Sequence, residues 1–440
     1  MRGLTTTILL VLVLAGLGAY IYFVDSKRPA GGVEEKQKVF TVAADKIQEM
    51  TVTSAGETTT LRKQDGAWKI TVPVTADADS TEVSNVTNAI AALEVNRVVD
   101  ENAQNLADFG LAEPAIKVAY KAEGSSGEVH LGSKTPTQSD MYAVKAGEKR
   151  VFLVQAYQES SLAKKTFDFR DKRVLNFERD KVDAIELSQG GSAPITLARS
   201  GTDWNLKQPI ATRGDYTAVE GLLTRLSTAS MTKLVDPNSP EDFGLEKPSV
   251  VVTLGAGSTR ATLEFGAERE GAVYARDRAR QLLFTVYPSL VTEVKKTADD
   301  FRDKDLFEFR SFNAVRLRLT RGTDTYEFQK VKGTGDNATD KWQRVGSGPA
   351  TDVDTSNMED FLAKLAALRA QSFNSTSNAA ASATPELVAA VSYDTDKFER
   401  VRFIKSEKEV SGVREGESGV AVVDGSAFDE TMKALDAVIK

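Results

Sequence analysis

Two hydrophobic periods alternate along the chain. Between residues 182 and 199, Val182-Asp183-Ala184-Ile185-Glu186-Leu187 and Ile195-Thr196-Leu197-Ala198-Arg199 exchange apolar and polar side chains every second position, on either side of Gly190-Gly191. That pattern predicts an antiparallel strand pair closed by a hairpin turn. A third strand carries Trp204. The period then lengthens: Val219, Leu222, Leu223 and Leu226 fall on one face of a 3.6-residue repeat, as do Phe361, Leu362, Leu365 and Leu368. This predicts helices over Ser80–Leu93, Tyr216–Ser227 and Thr355–Leu368. Period two returns in Ser249–Leu254, Ala261–Phe265, Ala272–Arg276 and Leu282–Val286, before a closing helix at Pro288–Lys296, with Ser426–Ile439 as its counterpart at the end of the chain. The order β-β-β-α-β-β-β-β-α indicates an α+β domain, a mostly antiparallel sheet with helices on one face.

The unit recurs three times. Phe169-Arg170-Asp171-Lys172 returns as Phe301-Arg302-Asp303-Lys304, and Phe109-Gly110-Leu111-x-x-Pro114 as Phe243-Gly244-Leu245-x-x-Pro248. The three tryptophans of the chain, Trp68, Trp204 and Trp342, lie 136 and 138 residues apart. Each is followed by a proline (Pro73, Pro209, Pro349), then an aspartate (Asp79, Asp215, Asp354), then a predicted helix. Those aspartates read as N-caps, and the glycine of Phe-Gly-Leu as a residue of positive φ in a tight turn. In the third copy a small polar run, Ser372 to Thr384, replaces Phe-Gly-Leu. A period near 135 residues is domain-sized, too long for a solenoid. The organisation expected is a transmembrane anchor, or else a signal, at 1–24, a linker at 25–38, and repeats at 39–177, 178–310 and 311–440, the last degenerate.

Residues Leu4 to Val24 form 21 consecutive uncharged positions, with Tyr20, Tyr22 and Phe23 at their C-terminal end. As a helix at about 1.5 Å per residue they span about 30 Å, the hydrocarbon thickness of a bilayer. A cleaved signal has a shorter apolar region, about 7–15 residues. The expectation is therefore one uncleaved N-terminal transmembrane helix, a single pass through the bacterial inner membrane with the bulk of the chain in the periplasm. Arg2 supports that orientation, whereas Lys27 and Arg28 oppose it.

Composition narrows the chemistry. A net charge of -7 is unlike a general nucleic-acid binder, which needs a basic footprint. Without cysteine there is no disulfide, thiolate metal site or cysteine nucleophile. His130 is the single histidine, so no multi-histidine zinc site and no conventional serine–histidine pair beyond His130 is possible. Its counterpart in the second copy is Glu264, which reads as a solvent-facing strand position. Leu131-Gly132-Ser133-Lys134-Thr135 lacks the upstream glycine of a phosphate loop and reads as the end of a strand. Asp77-Ala78-Asp79-Ser80 and Asp352-Val353-Asp354-Thr355 lack the central glycine and distal glutamate of a calcium loop. Arg170, Asp171, Arg302 and Asp303 read as ties between successive units. Arg269, Arg276, Arg278 and Arg280 do not recur, so they form the candidate binding patch for an acidic partner or lipid headgroups, against the plainer reading of a solvated hairpin. No cofactor or metal is expected, and no catalytic residue stands out.

The Phe-Gly-Leu-x-x-Pro and Phe-Arg-Asp-Lys elements, with the tryptophan–proline–aspartate–helix order, resemble the bacterial family known as domain of unknown function 4340. In that resemblance Phe109–Pro114 and Phe243–Pro248 are the signature turn, and Tyr142 and Tyr274 the hairpin tyrosine. The family has no assigned catalytic residues. Its members are often encoded beside ABC-type permeases of the gliding-motility kind, which implies an ABC permease and ATPase as partners. The function expected is a membrane-anchored, non-catalytic binding or scaffold protein, accessory to an ABC-type transport or envelope complex. The alternatives are a cell-wall or polysaccharide binding module using Tyr142 and Tyr274 as platforms, and, behind it, an acid-pair hydrolase.

Overall fold

The computed structural model describes residues 37–333, 340–374 and 383–440. The apolar segment at 4–24 lies outside them, as does most of the small polar run of the third copy. No helix among the described residues is long and apolar enough to cross a membrane.

Three nine-stranded sheets follow one another, every pairing antiparallel, in an α+β arrangement. Numbering the strands of each repeat from one to nine in chain order, all three sheets run 4-3-2-1-6-7-8-9-5. In the second repeat the strands are Ala184–Gln189, Ile195–Ser200, Asp203–Gln208, Thr212–Arg213, Lys233–Leu234, Val250–Ala256, Thr259–Arg269, Ala272–Asp277 and Leu282–Val286. The helix Tyr216–Thr228 carries the chain from one edge of the sheet, strand four, to the other, strand five. A second helix, Pro288–Val294, follows strand nine. The sequence reading found seven of these nine strands. It missed the two edge strands, because two residues are too few to show a period.

The expected physics holds the elements in place. Ile185 and Leu187 are buried and Glu186 is exposed, the alternation that a half-covered strand requires. Val219, Leu222, Leu223 and Leu226 are the buried residues of their helix. In the third repeat, helices Thr355–Ala366 and Gly425–Ile439 both bury their apolar faces in the core that holds Leu317, Trp342 and Phe403. Asp79 accepts a hydrogen bond from Thr81 N at 2.9 Å, Asp215 from Ala218 N at 2.9 Å, and Asp354 from Asn357 N at 2.8 Å. The three recurring aspartates are thus N-caps.

Strand four would leave a row of open backbone groups at the edge of each sheet. In the first two repeats the Phe-Arg-Asp segment closes it in the same way. Asp79 N donates to Phe169 O and Asp171 N to Asp77 O; Asp215 N donates to Phe301 O and Asp303 N to Arg213 O. Phe169 and Phe301 are buried in the process.

The described residues divide into two compact units, those up to Lys172 and those from Arg173 onward. The second and third repeats therefore share one unit. Its first residue, Arg173, pairs with Ser230 at the place where Asp305 pairs with Arg369 one repeat later.

Candidate functional site

The sequence-selected residues fall into separate groups. Gly110 and Gly244 adopt φ of 68° and 69°, as the tight turn requires. A Cβ on Gly244 would lie 2.7 Å from Ala267 N, and one on Gly266 would lie 2.2 Å from Phe243 O, so two glycines let the turn press onto strand seven. Leu111 and Leu245, from the same signature, are buried. The Phe109 and Tyr142 rings pack 5.1 Å apart and those of Phe243 and Tyr274 4.9 Å apart, so both tyrosines brace the signature turn. Pro114 and Pro248 end that loop just before strand six.

This turn also explains why one expectation failed. Glu264 was read as solvent-facing, yet it is fully buried. Its strand does alternate, but the Phe243–Leu245 segment lies across the outer face and removes it from water. The charge is compensated: Glu264 accepts from Arg276 Nε at 2.7 Å and Arg278 Nε at 2.5 Å. His130, at the same register in the first repeat, is only partly covered and bonds Glu128 at 2.6 Å.

Arg276 and Arg278 therefore serve a buried carboxylate of their own repeat. Arg280 bonds buried Asp277 at 2.6 Å and the carbonyl of Arg173, and Arg269 bonds the carbonyl of Asp242 at 2.6 Å. The structure brings the four arginines to one hairpin region and gives each an internal acceptor. Leu131–Lys134 continues strand seven through an irregular register. Of the tryptophans, Trp204 and Trp342 are buried, and Trp204 donates to Glu220 at 3.1 Å; Trp68 is half-buried.

The densest charged constellation is where the second repeat meets the third, and it centres on two residues the sequence reading did not single out. Arg213 projects from edge strand four of the second repeat. It donates to Glu417 Oε1 at 2.6 Å and Glu308 Oε1 at 3.0 Å, pairs with Asp303 at 2.9 Å, and reaches the carbonyl of Asp305. Glu417 sits on the hairpin between strands eight and nine of the third repeat. It also accepts from Thr212 Oγ1 at 2.8 Å and pairs with Arg414 at 2.5 Å. Arg414 in turn pairs with buried Glu399, which accepts from Glu308 N at 2.9 Å and Phe309 N at 3.2 Å. Beside them the buried Arg302 stacks 3.6 Å from the Phe373 ring centroid and donates to Ser418 O at 3.3 Å.

Burial pushes the Glu417 carboxyl up, but Arg213, Thr212 and Arg414 together outweigh this and hold it below the usual carboxylate range. The same contest ends the same way at Glu308. At Asp303 burial prevails and raises the carboxyl. Arg302 is pushed down, again chiefly by burial. The adjoining cleft, of 690 Å³, includes Arg213, Asp303, Asp305, Glu308, Arg369 and Tyr216 in its lining. Among the described residues no cluster of His, Asp and Glu has the arrangement to hold a metal ion. Chemically the constellation is a clasp, since its acids and cations satisfy one another across the two repeats.

The order of elements agrees with the comparisons. No curated protein and no solved structure matches the chain. The family model described as Domain of unknown function (DUF4340) matches twice, over residues 68–248 and 204–388. Each match starts at a tryptophan, crosses a Phe-Arg-Asp-Lys segment, and ends at or just beyond the second proline of the next repeat, so the family's unit is offset from the nine-stranded sheet and the two matches overlap. Together they cover well over half of the 440 residues, and the chain belongs to the family described as Domain of unknown function (DUF4340).

Proposed function

We propose that this protein is a non-catalytic binding or scaffold subunit, held to the bacterial inner membrane by residues 4–24 with its repeats in the periplasm, accessory to an ABC-type permease and ATPase. One observation carries the reading. The side chains with the strongest chemistry in the second unit are spent on fastening repeat to repeat, with Glu417 clasped between Arg213 and Arg414. A support needs such a fastening; a reaction centre would need a group left free to act. The uncharged run at 4–24 is what suggests a membrane anchor, and the family resemblance is what suggests the partner class.

The test is affinity purification of the full-length protein in mild detergent, with mass spectrometry of what accompanies it. Recovery of a permease and its ATPase is the expected result. A clean, unaccompanied protein at native abundance would remove the transporter reading.

A further inference from the structure

Strand one of each sheet presents one residue, beside a core residue, on the face opposite the helices. In the first repeat it is Glu49, next to buried Met50, with Arg62 and Lys121 directly across on the two neighbouring strands. Glu49 accepts from Arg62 Nε at 2.8 Å and pairs with Lys121 at 2.7 Å, so the site is internally neutralised. In the second repeat the three positions are Ala184, Ala198 and Gly255, which carry no charge. In the third they are Arg316, Gln329 and Ser392, next to buried Leu317.

The third arrangement inverts the first and leaves it uncompensated. Arg316 is exposed, and its cross-strand neighbours are an amide and a hydroxyl. Among the described residues its guanidinium has no ion-pair partner. The other two arginines nearby are paired, Arg318 with Glu327 at 3.3 Å and Arg400 with Glu415 at 3.2 Å. A groove of 360 Å³ opens here, lined by Arg316, Arg318, Gln329, Ser392, Phe398 and Arg400 among others. Phe398, 56% exposed, gives the groove an apolar wall beside these polar groups.

We propose that this groove binds an acidic saccharide, a pyranose carrying a carboxylate or phosphate. The planar guanidinium of Arg316 meets the anion in a two-pronged contact. The Gln329 amide and Ser392 hydroxyl have the donors and acceptors that ring hydroxyls need. The Arg400 guanidinium lies over the Phe398 ring, 5.6 Å from its centroid, and the rest of the exposed ring offers an apolar surface to the C–H face of the sugar. A neutral sugar would leave Arg316 without its counter-charge, and a bare anion would leave Phe398 without contact. No residue of the clasp lines this groove, so saccharide binding here stands or falls independently of the transporter reading.

The experiment is isothermal titration of the full-length protein in mild detergent with four probes: trigalacturonate, N-acetylglucosamine 1-phosphate, a neutral galactose trimer and inorganic phosphate. Saturable binding of at least one acidic sugar is expected, at least tenfold tighter than the neutral trimer or inorganic phosphate, and weakening as salt rises. Arg316→Gln should weaken it about tenfold and Phe398→Ala severalfold, whereas Arg62→Gln in the first repeat should not change it. Both groove positions are exposed, so unchanged melting temperatures are expected to accompany these losses. Overturning results are failure of both acidic sugars to saturate, equal binding by Arg316→Gln, or inorganic phosphate binding as tightly as the sugars.

Discussion

At the scale of single residues, Glu417 has the most to lose. Its carboxylate is largely buried and satisfied by Arg213, Arg414 and Thr212. Its loss leaves Arg213 with Asp303 and Glu308 and Arg414 with Glu399, so the cost is that of charged hydrogen bonds within a network, about 1.5–3 kcal/mol. Glu417→Gln should lower the urea midpoint of the 173–440 unit accordingly. Adding Arg213→Met should cost less than the sum of the two single changes, by about 1–3 kcal/mol. The pH dependence follows from the direction of the shift. Glu417 and Glu308 are held below their unfolded values, so their contribution is complete above about pH 4.3 and is lost as pH falls through their folded values. Asp303 is raised and acts oppositely: its contribution is present in acid and is lost as pH rises through its folded value. Glu220, Asp300 and Asp352 of the same unit are also held low, so the unit should be less stable in acid, and urea titrations at pH 7 and pH 3.5 should show the loss shrinking in Glu417→Gln. Arg302 and Asp303 could be picked out as ties because they recur. Glu417 could not, because it is one of 63 acidic residues and its role comes from a hairpin meeting a strand about 200 positions earlier.

At the scale of elements, period and punctuation were sufficient where they had room. The helices, the capping aspartates and the positive-φ glycines were legible, since each is fixed by interactions within a few residues. The edge strands were not, since they exist only through pairing with distant chain. Nor was the burial of Glu264, because the cover over its strand comes from a turn about twenty residues away. That turn gives a sharp test. Gly244→Ala adds a Cβ where φ is 69° and the Ala267 amide lies 2.7 Å away, so it should destabilise by about 1–3 kcal/mol. The same substitution at Gly221, in a helix with nothing near its Cβ, should instead stabilise by about 0.5–1 kcal/mol. Thermal melts of the two variants would move in opposite directions; a shared direction would refute this account of the turn.

At the scale of the whole molecule, the second and third repeats form one compact unit although each has its own sheet. The clasp predicts that a 173–440 fragment gives a single calorimetric transition. Glu417→Lys, which sets like charges together at Arg213 and Arg414, should split it into two. A single transition in both proteins would mean that the clasp does not couple the repeats. The repeat count and α+β class were visible in the sequence, whereas the pairing of two repeats was not, because it depends on side chains that do not recur. The candidate arginine patch was legible as four charges, but its four internal acceptors were not.

The closing of strand four by Phe-Arg-Asp also dictates where this chain tolerates being cut or joined. The segment that seals one sheet at residue 303 hands directly to the backbone that enters the next at residue 305. A splice before Phe301 would leave the site of its ring empty and the Thr212–Arg213 edge open to other strands, an invitation to aggregate. A splice after Lys304 keeps the seal with the sheet that it seals. Transplanted or duplicated repeats should therefore remain soluble only when the break follows the lysine.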